Sequence, residues 1–261
     1  MNRPGLIILR SALFNLYFFG LTVVLAVAGI FIRLFAPRRT LEYAQFWVRL
    51  VMAGLGRLCG IHLILSGEEH LPKTGPALIA SQHQSAYDTL IWMILLPRPA
   101  YVLKKELQRI PLFGPLTGLG GMIAIDRDAG PAALRSLVRQ TAAAVADGRQ
   151  IVIFPEGTRT MPGEWRPLQP GIAAMAAATG LAVIPVVTDS GLRWGKRAFR
   201  KLPGPIHMTV LPPIPPGLKR EALMRRLEAA FRGDLPDPVD NPVDAGPVIF
   251  PDRNRQDAHR A

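Results

Sequence analysis

The sequence lacks the residue patterns that form disulfide frameworks, histidine metal sites and phosphate-binding loops. It holds one cysteine among 261 residues, which excludes a disulfide framework. Its five histidines show no paired ligand spacing, so a metal enzyme is disfavoured. The stretch from Gly191 to Lys196 is one residue too short for a P-loop, and Arg197 stands where that motif needs Ser or Thr. These absences exclude a disulfide framework and a P-loop, and they disfavour a metal enzyme.

Acidic residues are also scarce, with 19 aspartates and glutamates against 31 lysines and arginines and a net charge of +12. Hydrophobic residues make up 49% of the chain, which excludes a disordered protein. A chain both apolar and basic favours an anionic membrane surface as partner, with nucleic acid as the rival. The charge is uneven: residues 191–232 carry ten basic and two acidic side chains, whereas residues 234–261 carry six aspartates and three arginines.

The N-terminal region contains an apolar run long enough to cross a bilayer. Residues 11–32 are 22 consecutive uncharged residues, and a transmembrane helix needs about 20. A cleaved signal peptide is the alternative, because Arg3 and Arg10 precede the run and residues 26–28 (Ala-Val-Ala) resemble a cleavage site. The run extends beyond a usual signal core, which favours a retained anchor.

A second apolar segment follows at residues 41–64, with Glu42, Gln45 and Arg49 at helical spacing. A helix with one narrow polar stripe suits the membrane interface, although a core helix of the next domain would show the same pattern. Placed directly after the first run, it predicts a two-helix membrane-associating segment over residues 1–65. Whether this segment spans the bilayer or lies in one leaflet stays open.

The rest of the chain alternates short apolar runs with helical patterns. This alternation predicts an α/β fold, with a mixed, largely parallel sheet flanked by helices. The predicted strands are His62–Ser66, Ala77–Ser81, Met122–Ile125, Gln150–Phe154, Leu181–Val187 and His207–Leu211. The predicted helices are Ala86–Leu95, Ala132–Asp147, Pro170–Thr179 and Lys219–Arg232. We expect a folded domain over residues 66–233 and a disordered Pro/Asp-rich tail over 234–261.

One candidate site lies just after the second predicted strand, in the residues Ser-Gln-His-Gln-Ser-Ala-Tyr-Asp at 81–88. Ser85 and Asp88 have the spacing of a capping box, which places Asp88 in the first turn of a helix. Its side chain would then lean back toward His83 in the preceding loop. A carboxylate on one imidazole nitrogen fixes the tautomer and leaves the other nitrogen free as a base. The alternative is a helix cap beside an ordinary loop histidine.

A second candidate site, Phe-Pro-Glu-Gly-Thr-Arg-Thr at 154–160, follows another buried strand. Ligands bind outside the carboxyl ends of strands in open α/β sheets. Gly157 allows a sharp turn, and Arg159 offers the planar fork that binds phosphate. The alternative is a surface turn with an ion pair between Glu156 and Arg159. Lys104, Lys105 and the pair Asp126-Arg127 add charge after other apolar stretches, each a weak signal alone.

Taken in order, the motifs at residues 81–88, 104–114, 121–127, 154–160 and 183–186 resemble those of the glycerolipid acyltransferase family. The likeness is to its 1-acylglycerol-3-phosphate acyltransferases and covers residues 66–216. The H-x-x-x-x-D pattern is weak by itself, but FPEGTR about seventy residues downstream, with an Ile-Asp-Arg strand between, is specific. Gln82 stands where the family often has Asn, a change that removes no catalytic atom.

The resemblance implies a role for each matching residue. His83 would be the general base that takes the proton of a lysophospholipid sn-2 hydroxyl, and Asp88 would orient it. Binding of the acceptor would fall to Glu156, Gly157 and Arg159, with further phosphate contacts from Arg127 and from Lys105 or Lys104. The acyl donor would be a thioester of coenzyme A or acyl carrier protein, with no metal and no cofactor. The chain has no G-x-S-x-G nucleophile elbow, which agrees with direct transfer.

The resemblance also implies a place and a product. The enzyme would convert lysophosphatidic acid to phosphatidic acid in phospholipid biosynthesis, at a bacterial inner membrane with the active site on the cytoplasmic side. The partners would be the membrane surface and the two substrates, without nucleic acid. Another lysolipid acceptor, such as a lyso-ornithine lipid, is the alternative within the family. A non-catalytic lipid-binding protein is the alternative outside it.

Overall fold

The computed structural model describes residues 4–110 and 113–233, and the predicted acidic tail lies outside these ranges. Its helices are α1 (Pro4–Phe35), α2 (Thr40–Gly54), α3 (Ala86–Leu95), α4 (Phe113–Leu119), α5 (Pro131–Ala146), α6 (Gly171–Thr179) and α7 (Arg220–Arg232). Its strands are β1 (Ile61–Ser66), β2 (Ala77–Ser81), β3 (Pro99–Lys104), β4 (Ile123–Ile125), β5 (Gln150–Ile153), β6 (Val183–Thr188) and β7 (Gly204–Val210).

The seven described strands form one sheet in the order β1-β7-β6-β2-β5-β3-β4. Strands β6 and β7 pair antiparallel, and the other neighbouring pairs are parallel. The predicted α/β class with a mixed, largely parallel sheet is therefore confirmed. Strands β2 and β5 are buried along their whole length, as expected for parallel strands covered on both faces.

Two apolar clusters cover the two faces of the sheet. One cluster joins the sheet to α2 and α3 through residues such as Val51, Ile91 and Trp92, and α1 adds Phe14 to it. The other joins the sheet to α5, α6 and α7 through Leu137, Met175 and similar residues. Because β2 and β5 lie in the middle of the sheet, the loops that follow them are supported from both faces.

Helix α1 is long and apolar enough to cross a membrane by length and composition, and an 18-residue window within it has a mean hydropathy of 2.3. One side of it packs on α2, where the Tyr17 hydroxyl donates to the Leu50 carbonyl (2.8 Å) and the Tyr43 hydroxyl donates to the Leu25 carbonyl. The other side exposes large apolar residues, among them Leu16 and Phe19. Helix α1 thus has a protein-facing side and an uncovered apolar side along its length.

The segment at residues 41–64 combines a helix and a strand. Helix α2 ends at Gly54, a π-helical turn runs to Cys59, and β1 begins at Ile61 and pairs with β7. The inner face of α2 is core, because Val48 and Val51 are fully buried. Helix α2 therefore lies between α1 and the α/β domain and packs against both.

Two elements were absent from the sequence-based prediction. Strand β3 joins β5 to β4 in the sheet, and α4 precedes β4. The predicted bounds of the other strands are correct to within three residues at each end, and the bounds of α3 agree fully. The missed strand matters for the site, because it ends at Lys104.

Candidate active site

The loop between β2 and α3 brings His83 and Asp88 together. Ser85 is the N-cap of α3, and its hydroxyl accepts a hydrogen bond from the backbone N–H of Tyr87. Asp88 lies in the first turn and its side chain turns back over the cap. Its Oδ2 lies 3.2 Å from Nδ1 of His83. The local capping pattern, which the sequence predicts, is what produces this contact.

Asp88 is fully buried, and one oxygen carries several hydrogen bonds. Oδ2 accepts from the backbone N–H groups of Gln84 and Ser85, both at 2.7 Å, in addition to its contact with His83. These donors stabilise a carboxylate in the interior. A carboxylate at Nδ1 places the proton of a neutral imidazole on that nitrogen, so Nε2 is left with its lone pair. The pair can therefore act as a general base.

The aromatic ring of Phe154 positions the His83 ring from the other side. The two ring centroids lie 4.2 Å apart with an interplanar angle of 24°. Phe154 directly follows β5, which is the neighbour of β2 in the sheet. Stacking on one face and the Asp88 contact at one edge together restrict the rotation of the imidazole.

Glu156 is bound to the backbone of the histidine loop and does not pair with Arg159. Its Oε2 accepts a hydrogen bond from the backbone N–H of His83 at 2.7 Å. Thr160 lies 3.2 Å from Oε1, and its backbone N–H donates to the His83 carbonyl at 2.8 Å. The two catalytic-motif loops are thus joined by hydrogen bonds at both the N–H and the carbonyl of His83.

Burial raises the pKa of Glu156 to about 7, against hydrogen bonds from His83 and Thr160 that lower it. The hydroxyl of Thr160 lies within reach of both Glu156 Oε1 and the His83 carbonyl, at 3.2 and 3.3 Å. A hydroxyl has one proton and can donate to only one of them. A protonated Glu156 can donate to Thr160 and free that hydroxyl for a second hydrogen bond to the His83 carbonyl, which already accepts from the Thr160 N–H. The ionised carboxylate accepts from the Thr160 hydroxyl instead, so hydrogen bonds are available to both forms.

Gly157 and Arg127 form the turn beyond Glu156. Gly157 has φ +70°, a conformation that favours glycine, and its carbonyl accepts from the Arg127 guanidinium at 2.7 Å. Arg127 follows β4, so this bond connects the ends of β4 and β5. One N–H group of the Arg127 guanidinium is used in this bond to Gly157. Arg127 therefore contributes to the site by holding the Gly157 turn.

Arg159 is half-buried beside these loops, and it makes no ion pair within residues 4–110 and 113–233. The surface Glu156–Arg159 pair that the sequence leaves open as an alternative is therefore not seen. The Arg159 carbonyl accepts from Lys196 Nζ at 2.8 Å, which fixes the backbone at this point. Its guanidinium can bind an anion.

The two lysines lie farther along the same edge of the sheet. Lys104 ends β3 and is exposed, and exposed Lys105 lies 3.4 Å from the Asp126 carboxylate. The parallel strands β2, β5, β3 and β4 are neighbours in that order. Strands are spaced about 4.8 Å apart, so the end of β3 lies about 10 Å from that of β2. The structure places Lys104 and Lys105 on the site's flank, out of contact with His83.

Among the described residues, Glu106, Asp126 and Asp128 form a carboxylate group close enough to share a cation. Glu106 and Asp128 are exposed, and Asp126 is paired with Lys105. This cluster lies outside the loops that carry His83 and Glu156.

Sequence reasoning missed several supporting residues. Phe154 and Thr160 lie within the motif at 154–160, but nothing local shows that they contact His83 from seventy or more residues away. Nothing in the sequence places Lys196 beside Arg159. The histidine and the aspartate were recognisable because their contact is local.

Comparisons with known proteins identify the family of the chain. The model of the Acyltransferase family matches residues 62–189. A 1-acyl-sn-glycerol-3-phosphate acyltransferase of Pseudomonas aeruginosa is 32% identical over 78% of this chain and 80% of its own length. The enzyme of that name from Limnanthes alba is 30% identical over 82% of this chain and 77% of its own.

The fold has a counterpart among solved structures. The 1-acyl-sn-glycerophosphate (LPA) acyltransferase PlsC of Thermotoga maritima aligns with a TM-score of 0.69 over 87% of this chain and 96% of that one. At 21% identity this likeness concerns the fold alone. Fold, site and relatives define an α/β acyltransferase. The chain belongs to the acyltransferase family that includes the 1-acyl-sn-glycerol-3-phosphate acyltransferases.

Proposed function

We propose that the protein transfers a fatty acyl chain from an acyl thioester to the sn-2 hydroxyl of lysophosphatidic acid, giving phosphatidic acid. The observation that carries the proposal is the buried Asp88 carboxylate at Nδ1 of His83. The names of the relatives that share the family support lysophosphatidic acid as the acceptor. The half-buried guanidinium of Arg159 suits its phosphate group.

The reaction needs one base and no covalent enzyme intermediate. Nε2 of His83 takes the proton of the acceptor hydroxyl as its oxygen attacks the thioester carbonyl. The tetrahedral intermediate collapses, the carbon–sulfur bond breaks, and the departing thiolate takes the proton back from His83. Asp88 stabilises the imidazolium that exists between these steps. A positioned base of this kind contributes about 10²–10⁴-fold to the rate.

The other groups position the acceptor and the base. Glu156 and Thr160 hold the backbone of His83, Gly157 forms the turn, and Arg127 holds that turn. Lys104 and Lys105, about 10 Å along the strand edge, would contact charged parts of a bound substrate beyond the reacting atoms. The acyl donor is a thioester of coenzyme A or of acyl carrier protein, and no metal or cofactor is assigned a role.

We further propose that α1 keeps the protein at the membrane with its axis near the membrane plane. Protein contacts occur along most of the helix, from Ser11 through Phe14 and Thr22 to Gly29. A perpendicular, spanning α1 would carry the polar loops that pack on it into the hydrocarbon, where unsatisfied groups are costly. Lying in the plane, it buries only its uncovered apolar side.

Membrane attachment through α1 also bears on the signal-peptide alternative. Phe14 is fully buried in the core cluster. Cleavage after residue 28 would remove this side chain and uncover α2. The placement we propose is the cytoplasmic face of a bacterial inner membrane, where both kinds of acyl thioester are available.

The experiment is acyl transfer by the detergent-purified protein. Two labelled donors are tested, acyl-CoA and the acyl thioester of acyl carrier protein. Each donor is offered with lysophosphatidic acid and with other lysolipids, including a lyso-ornithine lipid. We expect transfer to lysophosphatidic acid, and a loss of about 10²–10⁴-fold in His83→Ala. The matched control is His207→Ala, since His207 also contacts a carboxylate, Asp189 Oδ2 at 2.7 Å, but on the exposed surface.

The control variant should retain activity. Full activity in His83→Ala would refute the mechanism. Transfer to a different lysolipid in preference to lysophosphatidic acid would replace the acceptor but keep the chemistry. Absence of transfer with every pair of substrates would favour a non-catalytic lipid-binding protein.

A further inference from the structure

The connection from β6 to β7 begins with Asp189, which contacts His207. Its remaining residues, 190–203, connect two parts of the molecule that the sequence keeps far apart. We call these residues the bridging segment. One end of it contacts α1, and another part contacts the loops that carry His83 and Arg159. Neither the proposed reaction nor the proposed anchor assigns it a task.

Lys201 and Trp194 fix the bridging segment to α1. Lys201 is 3% exposed, and its Nζ donates to Asn15 Oδ1 at 2.6 Å and to the Phe199 carbonyl at 2.9 Å. Its backbone N–H donates to the Ser11 hydroxyl at 2.9 Å. The Trp194 ring packs edge-on against Phe14 with centroids 5.5 Å apart. A buried lysine with polar partners from the anchor helix makes this a specific junction.

Other residues of the bridging segment hold the catalytic loops. Lys196 Nζ donates to the Arg159 carbonyl at 2.8 Å. The backbone N–H of Gly191 donates to Gln84 Oε1 at 3.1 Å, next to the cap that positions Asp88. A rigid connection therefore runs from α1 to both halves of the candidate active site.

The bridging segment exposes both apolar and cationic side chains to solvent. Phe199 is 52% exposed, Leu192 50% and Leu202 39%, and Arg197 and Arg200 are also exposed. Residues 190–203 include no acidic side chain. Isolated exposed apolar residues are ordinary, but several of them interspersed with arginines on one short loop are typical of a surface that contacts lipid.

The backbone supports a defined shape for this loop. Arg197 has φ +57°, the one non-glycine residue with positive φ within residues 4–110 and 113–233. An L-residue other than Gly, Asn or Asp seldom takes this conformation, and such outliers persist where the surroundings enforce them. The turn at Arg197 separates Lys196, which points to the active-site loop, from exposed Phe199 and Arg200.

We propose that the bridging segment is a second membrane contact, which inserts Phe199 and Leu202 among the headgroups of an anionic leaflet and pairs Arg197 and Arg200 with lipid phosphates. Its charge complements that surface. Its junction with α1 makes it continuous with the helix that we propose lies in the membrane plane, and the inference rests on that placement. Lys196 in the bridging segment holds the Arg159 backbone. The membrane contact of the bridging segment therefore sets the height of the acceptor site above the leaflet.

The direct test places an environment-sensitive fluorophore at residue 199 through Phe199→Cys, in the full chain bound to phosphatidylglycerol-containing vesicles. The single native cysteine, Cys59, is 1% exposed and does not compete for label in the folded protein. The control carries the label at exposed position 225 on α7, through Arg225→Cys. We expect a blue shift and quenching by brominated lipid at 199 and neither at 225. Equal emission and quenching at both positions would overturn the proposal.

The charge component is tested by partition between anionic and neutral vesicles in one sample. Removing two arginines, in Arg197→Gln/Arg200→Gln, should lower the preference for anionic vesicles by about 10- to 30-fold. Arg225→Gln/Arg226→Gln removes the same charge from α7 and should change it far less. If both double variants lose the preference for anionic vesicles equally, the preference depends only on net charge, and a specific contact through Arg197 and Arg200 is refuted.

Activity on micellar lysophosphatidic acid separates this proposal from the proposed function. The labelled and arginine variants should keep transfer in micelles, because none of the substituted residues contacts the catalytic loops. If the protein is inactive with every substrate, the proposed acyltransferase function is refuted, but the fluorescence result still decides whether the bridging segment contacts the membrane. An active protein without quenching at 199 would overturn only the membrane contact.

Discussion

Replacing Glu156 with glutamine tests whether this carboxyl group is protonated in the folded protein near neutral pH. Burial raises the pKa of Glu156 to about 7, and the neutral acid can donate a hydrogen bond to Thr160. Glutamine has the same shape and is neutral at every pH. Its amide can donate to Thr160 and accept from the His83 N–H, so the network survives the substitution.

The size and sign of the effect follow from proton linkage. The unfolded carboxyl group ionises near pH 4.5 and the folded one near 7. Between these values the folded state holds one more proton, so stability is highest below pH 4.5 and falls as pH rises through 7. A difference of that size corresponds to about 3 kcal/mol. In a protein of this length we expect a fall of roughly 5–10 °C in Tm.

The assay is thermal unfolding in detergent at pH 5 and pH 8. At pH 5 the native protein and Glu156→Gln should melt at similar temperatures. At pH 8 the variant should melt higher, because the native protein must hold an ionised carboxylate in a buried position. Glu106→Gln changes the same kind of group on the surface and serves as the control.

Two results would refute the reasoning. One is a Glu156→Gln variant whose Tm differs from that of the native protein by the same amount at both pH values. The other is a variant that is less stable at pH 8, which would mean that the ionised carboxylate stabilises the loop. Either result would mean that Glu156 is ionised in the folded protein and accepts a hydrogen bond from Thr160 instead of donating one.

Two further predictions concern the site and the anchor. Asp88→Asn removes the charge at Nδ1 of His83 and should lower kcat by about 10²–10⁴-fold with little change in the KM for either substrate, measured by acyl transfer; an unchanged kcat would exclude the pair as the base. Gly54→Ala places a Cβ against the ring of Tyr17 and should lower the Tm, whereas Gly20→Ala, which meets nothing within 4 Å, should leave it equal or higher. Equal Tm changes in the two glycine variants would show that α1 does not depend on this close approach to α2.

Local signals were sufficient for the elements that lie next to the site. The capping pattern at Ser85 and Asp88 defines the start of α3 and the approach to His83 within a few residues of chain. Continuous apolar runs identified β2 and β5, because strands buried on both faces show no alternation. The order of the strands in the sheet depends on long-range pairing, and the apolar runs do not predict it.

Strand β3 and helix α4 escaped prediction for identifiable reasons. Strand β3 begins at Pro99 and ends at Lys104, and its burial changes from complete to exposed along its length. It becomes a strand because β5 and β4 pair with it on either side. Helix α4 is seven residues long and contains two glycines and a proline, which oppose helix formation. Tertiary contacts decided both elements.

The same distinction applies to the candidate site. The contact of Glu156 with the His83 N–H and the stacking of Phe154 on His83 join residues that are more than seventy positions apart. The sequence leaves an ion pair between Glu156 and Arg159 open as an alternative, because the two residues are close in the chain and have opposite charges. The sheet instead places Glu156 beside the histidine loop, where its carboxyl group accepts from the His83 N–H and does not pair with Arg159.

The pairing of β1 with β7 bears on how the chain completes its fold during synthesis. Strand β1 finds its sheet partner at Gly204–Val210, and Asn15 of α1 finds Lys201, each long after the earlier residue has left the ribosome. Chains fold from the N-terminus as they emerge. We expect that the apolar side of α1 rests on the membrane during this interval, so the bilayer shields the nascent chain until β7 has been synthesised.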